Sequence, residues 1–493
     1  MSFRRVSVVS LSIALCVALL TAMVPASLVA AQGGGKVREY IVTLNVKDSG
    51  RIIKPTNRDN KARIRQRAKA SRLKTSEVTR RNGVKARYRY GNVITGFSAR
   101  MTRAQARKLA QDPSVASVRV ARIFRTASQS VPVGIKRVKA YQGSPRPDVK
   151  ANVAVIDTGI GPADDNGNPS AMTTAELEIA GGWNCADLPT QQAGETNKDF
   201  AARLAAAHGR WGDVNGHGTH VAGTIGARDN GVGVVGVAPG VNLFSVRVFN
   251  PFGVGPDAAG ICGLDWVADS YTNPTPDIDV INMSLEGPRA NMIEECDDVV
   301  PDPPDTNVDP DYLHEAICNL KNAWGVPVVA AAGNASADAN NRSPGGYKQV
   351  ITVGAITDTD GVGWEDGSNA SCSGYTGEKD DTFASYSNHG TDVDIVAPGT
   401  CIYSTSLFNS SGGLSLNGDS IVRFSGTSMA APHVTGAVAR YIDEKGGFST
   451  GAEVTELRDR MRAAGRMDWD ARTDPVWSGV SDPAPPNRCL LYT

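Results

Sequence analysis

No HExxH motif, no low-complexity linker and no net charge mark this chain. Without HExxH, the usual helix-borne zinc-peptidase signature is excluded. The 51 Lys and Arg equal the 51 Asp and Glu, so nothing suggests polyanion binding along the whole length. Past residue 31 no membrane segment is expected. What is present is a 493-residue chain, long enough for ~2–4 domains.

Residues 1–31 read as a secretory signal. Arg4 and Arg5 precede an apolar run from Val6 to Leu20, and small residues from Ala26 to Ala31 offer a cleavage site. The competing reading is an uncleaved anchor; Pro25 and the small residues favour processing. Cys16 has no small residue before it, which argues against lipid attachment. An exported product that is extracellular can form disulfides. Seven cysteines follow Cys16, an odd number, so at least one is free or pairs between chains. Cys296–Cys318 and Cys372–Cys401 are the expected local pairs.

The zero net charge hides a split. Residues 32–127 hold 25 Lys and Arg against 5 Asp and Glu, and the remainder is correspondingly acidic. Opposite charge on linked segments predicts a salt-sensitive mutual fit. The alternative, nucleic-acid or anionic-surface binding, finds no zinc pattern or nucleic-acid motif in the segment. Alternation over Glu39 to Leu44 predicts a strand. Strands are also expected over 94–99 and 115–120, and helices over 58–81 and 103–110, the latter capped by Thr102. That mixture is a small α+β domain.

From about residue 150 the pattern changes. Apolar runs at 153–156, 243–248, 278–283, 326–331, 350–354 and 393–396 alternate with helical stretches at 217–226, 258–268, 312–323 and 428–441. Continuous apolar strands between helices predict an α/β fold with a mostly parallel sheet covered on both faces. Ligands then bind beyond the strands' carboxyl ends, where Asp157, Ser284 and Asn334 fall. Residues 294–311 are acidic and Pro-rich, read as a solvated insertion with a metal site as the alternative. Residues 467–493 read as a tail packed on the surface.

Four motifs carry chemistry: Val153-Ala154-Val155-Ile156-Asp157-Thr158-Gly159, Asn215-Gly216-His217-Gly218-Thr219-His220, Ala330-Ala331-Ala332-Gly333-Asn334 and Gly426-Thr427-Ser428-Met429-Ala430-Ala431-Pro432-His433. Each alone has a plain reading. Ser428 caps a helix, Asp157 and Asn334 sit in turns, and the paired histidines suggest a metal or packing, with His220 expected to pack. Together they offer a nucleophile, a base near neutral pKa, an orienting carboxylate and an amide donor for an oxyanion. Met429, if exposed, is an oxidation liability.

The order Asp, His, Ser resembles that of subtilisin-like serine proteases (subtilases). The basic segment resembles their inhibitory propeptide, in Tyr40 to Leu44, Ile94 to Ala99 and Asp112-Pro113-Ser114-Val115-Ala116-Ser117-Val118. Ser128 to Ile135 resembles a mature amino terminus. The resemblance implies a three-layer subtilisin-like domain over 128–493 and a propeptide over 32–127. It implies cleavage at Ala127–Ser128, with Phe124 filling a pocket. It assigns Ser428 as nucleophile, His217 as base, Asp157 as orienter and Asn334 as oxyanion donor. Ser284, Leu285 and Gly287 would line the substrate pocket, with Gly253 and Gly255 on the facing edge. Glu286 stands where the family has glycine, and either favours basic or polar substrate residues or faces solvent. Gln129, Glu176, Arg228, Asn230, Val232 and Val234 would hold Ca2+, which needs six to eight oxygens. The partners implied are polypeptide substrates and the chain's own propeptide, for a monomer with no nucleic-acid or membrane partner after signal removal. The contrasting reading is a secreted, catalytically silent binding protein.

Overall fold

The computed structural model describes residues 37–45, 47–48, 51–52, 61–126, 131–132, 134–140, 147–163, 167–169, 176–230, 233–272, 276–289, 296, 310–361, 369–372, 375–407 and 420–464. The signal segment, the 127–128 junction, most of the acidic insertion and the tail lie outside them. Among the described residues no helix is long and apolar enough to cross a membrane.

The amino-terminal unit contains β1 (Arg38–Leu44), α1 (Lys61–Asn82), β2 (Arg89–Tyr90), β3 (Gly96–Met101), α2 (Arg103–Ala110), β4 (Val115–Val120) and β5 (Ile123–Thr126). Its antiparallel sheet runs β2–β3–β1–β4. Thr102 caps α2 with a full capping box. Its hydroxyl accepts the Gln105 N–H at 3.3 Å, and the Gln105 side chain accepts the Thr102 N–H at 2.8 Å. Val42, Phe97, Ala99, Leu109 and Val115 close its core.

The larger unit is built on β6 (Asn152–Asp157), β7 (Ile179–Asn184), α3 (Asn197–His208), α4 (His217–Gly226), β8 (Asn242–Arg247), β9 (Val254–Pro256), α5 (Asp257–Ser270), β10 (Val280–Met283), β11 (Leu285–Pro288), α6 (Tyr312–Trp324), β12 (Val328–Ala331), β13 (Ile351–Thr357), β14 (Ile395–Ser406), β15 (Ser420–Phe424), α7 (Thr427–Lys445) and α8 (Gly451–Ala464). The main sheet runs β7–β8–β6–β10–β12–β13–β14–β15, parallel along this order up to the antiparallel β14–β15 pair, and the short strands Val131–Pro132 and Thr382–Phe383 add antiparallel pairs to β14 and β13. This is the expected mostly parallel α/β architecture.

The strand period of two explains the layers. Val153 and Val155 join a core with Val221 of α4 and Val434 of α7. Ala154 and Ile156 join the opposite core with Ile261 and Leu264 of α5 and Ile317 of α6. Both faces are therefore apolar and covered, which is why the strands read as unbroken apolar runs.

The sequence reading missed β7, α3, β15 and α8. Gly181 and Gly182 interrupt β7, and α3 and α8 carry weak apolar periodicity. Both expected local disulfides are present, and a third joins Cys185 to Cys262. Cys489 lies outside the described residues.

The basic unit docks on α5 and α6. Ile41, Tyr88, Tyr90, Val93 and Ile94 share the core that contains Leu264 and Leu313. Its last strand, β5, crosses to the larger unit and enters a second antiparallel sheet between β9 and β11.

Candidate active site

Asp157 ends β6 and is fully buried. Its carboxylate accepts the His217 Nδ1–H at 2.8 Å to Oδ1 and 3.0 Å to Oδ2, and the Thr158 N–H at 2.7 Å. His217 is the first residue of α4, so its side chain leaves the helix where the chain meets the carboxyl ends of the strands. Gly218 follows because a Cβ there would collide with the Gly159 carbonyl, and the close approach brings α4 onto the β6 turn.

Asp213 fixes this approach, and the sequence reading overlooked it. It is buried and accepts N–H groups of Asn215, Gly216 and Thr219 at 2.9, 2.9 and 3.0 Å. Hydroxyls of Thr158 and Thr219 donate to it at 2.9 and 2.6 Å. Burial raises its pKa, against the pull of these donors. An Asp two residues before Asn215-Gly216 is a turn-forming signal that the sequence does carry.

His220 is a packing residue, as expected. It stacks on Phe424 at 4.6 Å between ring centroids, and its Nε2 lies 3.1 Å from the Ile402 carbonyl.

Ser428 is the second residue of α7, just past the Gly426 cap, and is fully buried. Its Oγ–H donates to the Ser284 carbonyl at 3.2 Å, and the Ser284 hydroxyl donates back to the Ser428 carbonyl at 2.8 Å. Met429 is also fully buried, so the exposure that would make it an oxidation liability is absent in this state.

Asn334 follows β12. Its Oδ1 accepts the Thr427 N–H at 2.8 Å and the Thr427 hydroxyl at 3.1 Å. Those two bonds orient the amide, and its Nδ2 is buried without a hydrogen-bond partner. A buried orphan donor is costly unless something is to be bound there. Asn388 braces the same loop through the N–H groups of Ala335 and Ala337 and the carbonyl of Ala332.

The proposed substrate edges are brought together around β5. Gly255 stands opposite Phe124, and Leu285 opposite Thr126. Gly253 turns the chain into β9 with φ +67°. Gly287 pairs with Ser343 on the far side of β11. The Phe124 side chain lies outside the described residues. Glu286 does not simply face solvent: it is half-buried, and its Oε2 accepts the Asn334 N–H at 3.3 Å.

A family model described as the subtilase family matches residues 149–466, more than half of the chain. The chain belongs to the subtilase family. A second model, described as peptidase inhibitor I9, matches residues 39–126. Subtilisin E of Bacillus subtilis (strain 168) is 32% identical over 404 residues, covering 80% of this chain and 81% of that protein. The extracellular serine proteinase of Thermus sp. (strain Rt41A) is 36% identical over 253 residues, covering 50% of this chain and 47% of that protein. This subtilase is therefore a serine endopeptidase by family, with an I9 inhibitor segment ahead of its peptidase unit.

Among the described residues two groups of oxygens could face a cation. Glu176 is buried with its carboxylate against Gly233, where any Cβ would collide with it, and its carbonyl accepts the Arg228 N–H at 2.9 Å. Val234 is half-buried, Asn230 is exposed, and the Arg228 guanidinium pairs with Glu178. A buried carboxylate held against a glycine of this loop fits a cation cradle; Gln129 and Val232 lie outside the described residues. Asp358, Asp360 and Asp380 form a second acidic group, with one oxygen from each within 4.8 Å of the others.

Proposed function

We propose that this subtilase is a secreted endopeptidase made as a self-processing zymogen, with residues 1–31 removed on export and residues 32–127 acting as its inhibitor. The observation that carries the proposal is the insertion of β5 between β9 and β11. β5 ends at Thr126 opposite Leu285, and the next residue back, Ser284, touches Ser428. β5 thus lies as an extended peptide running toward the serine, the posture of a substrate adding a strand to the groove.

The chemistry follows from the residues. Asp157 holds His217 with Nδ1 protonated, which makes Nε2 the nitrogen that accepts a proton. His217 takes the Ser428 Oγ proton as Oγ bonds to the scissile carbonyl carbon, and the C=O pair moves onto oxygen. The Ser428 N–H and the Asn334 Nδ2–H receive that oxyanion. His217 then gives the proton to the leaving amine as the C–N bond breaks, leaving an acyl-Ser428. Water deprotonated by His217 attacks the ester and regenerates the serine. Ca2+, held by Glu176 with Gln129, Asn230 and the carbonyls of Arg228, Val232 and Val234, would serve as a structural ion.

A serine-directed fluorophosphonate should label the processed protein at Ser428, and Ser428→Ala should accumulate the chain uncut at Ala127–Ser128. No label would point instead to a silent relative that kept the fold, and normal self-processing of the variant would remove Ser428 as the nucleophile.

A further inference from the structure

We infer that Glu286 makes the substrate groove select a basic side chain three residues before the cut bond, and that the chain carries that signal itself as Arg125. The inference rests on the peptidase reading above and specifies the substrates of that same site. Glu286 stands directly opposite Arg125 in the antiparallel β11–β5 pair. Residues directly opposite in such a pair put their side chains on one face of the sheet. Neighbouring Leu285 is buried in the core while Glu286 is half-buried, as alternation requires. With Ala127 as the last residue before the cut, Arg125 is the third residue before it. Alanine at the first position leaves the third as the place where charge can be read.

The carboxylate is held there by its surroundings. Its Oε2 accepts the Asn334 N–H at 3.3 Å and fills space that any side chain on Gly333 would need. Gly333 has φ +103°, a conformation that itself favours glycine. Among the described side chains no cation pairs with Glu286. A half-buried carboxylate acts on an approaching charge through a lower effective dielectric than water, so it attracts Lys or Arg and repels Asp or Glu.

The test uses the processed enzyme and fluorogenic peptides spanning Arg122 to Gln129, identical except for Arg, Ala or Glu at the place of Arg125. The parent should cleave the Arg peptide with a kcat/KM about tenfold above the Glu peptide, the size expected when an attractive cross-strand pair becomes a repulsive one. Glu286→Gln should bring the two within about twofold, and Glu286→Lys should invert the order, by the same pairwise argument. The ratio is read within each variant, so a general loss of rate from disturbing Asn334 does not affect it. Equal rates in the parent, or an unchanged ratio in Glu286→Gln, would overturn the inference. Should the variants fail to fold, high salt on the parent alone must shrink the ratio, and a salt-independent ratio overturns it as well. Failure of the peptidase reading looks different: no peptide is cut and Ser428 takes no fluorophosphonate, and the inference falls with it.

Discussion

Arg122 and Asp257 are joined twice across the boundary between the basic and acidic parts of the chain. The Arg122 N–H donates to Asp257 Oδ1 at 2.9 Å, and its guanidinium Nε donates to Oδ2 at 3.1 Å. The same guanidinium reaches Asp311 at 2.6 Å, and Arg119 also pairs with Asp257 at 2.8 Å. Part of the charge split of the sequence is thus met in buried pairs at the start of β5.

Arg122→Met should loosen the docking of the basic unit by about 3–5 kcal/mol, because it leaves buried carboxylates with fewer partners. Chemical unfolding of the full chain carrying Ser428→Ala, with and without Arg122→Met, measures this. Because Asp257 and Asp311 are buried, added salt should weaken these pairs less than it weakens exposed ones. A variant as stable as the parent would show that apolar contacts of Tyr88, Tyr90 and Val93 hold the unit by themselves.

Asn334→Leu should retain substrate binding and lose kcat. A loss of ~10²–10³-fold is the magnitude known for removing such a donor from subtilisin itself, taken from that relative rather than from the present distances. Steady-state kinetics on one peptide gives the answer. A raised KM with unchanged kcat would mean that the orphan amide binds ground-state substrate only.

Buried His220 and His433 should make the peptidase unit acid-sensitive. Burial pushes His220 down to about 3 and His433 down to about 4, from an ordinary value of 6.5. An imidazole with a depressed folded pKa contributes stability that is complete above 6.5 and is lost as pH falls toward the folded value. Each contributes a slope of roughly 1.4 kcal/mol per pH unit in that window. Replacing His220 by Phe, stacked on Phe424, should remove one such slope between pH 6 and 4 in unfolding curves of the Ser428→Ala chain, on the order of half the histidine effect. Parallel curves for the two proteins would contradict the assignment of His220 as a buried neutral ring.

Chelation should lower the thermal midpoint of the processed enzyme, and Glu176→Ala should abolish most of that sensitivity. An ion present at a hundred times its Kd stabilises by about 2.7 kcal/mol. Equal chelator sensitivity in parent and variant would move the responsible site elsewhere, with Asp358, Asp360 and Asp380 as the next group to replace.

Much of this was legible along the chain. The apolar runs announced the parallel sheet because strands buried on both faces need no polar alternation. Thr102 announced α2 because capping is settled within a few residues of the helix start. Asp157, His217, Asn334 and Ser428 stood out because each lies in a short motif whose turn or helix start is local. Tertiary structure alone decided the remainder. It paired Cys185 with Cys262 across 77 residues, which spacing cannot dictate. It gathered five donors on Asp213, aimed the orphan amide of Asn334, and turned Glu286 from a substituted glycine into a carboxylate opposite Arg125. These are consequences of register and close approach between segments far apart in sequence. A pattern read along one segment fixes which face is buried, and only packing fixes what that face meets.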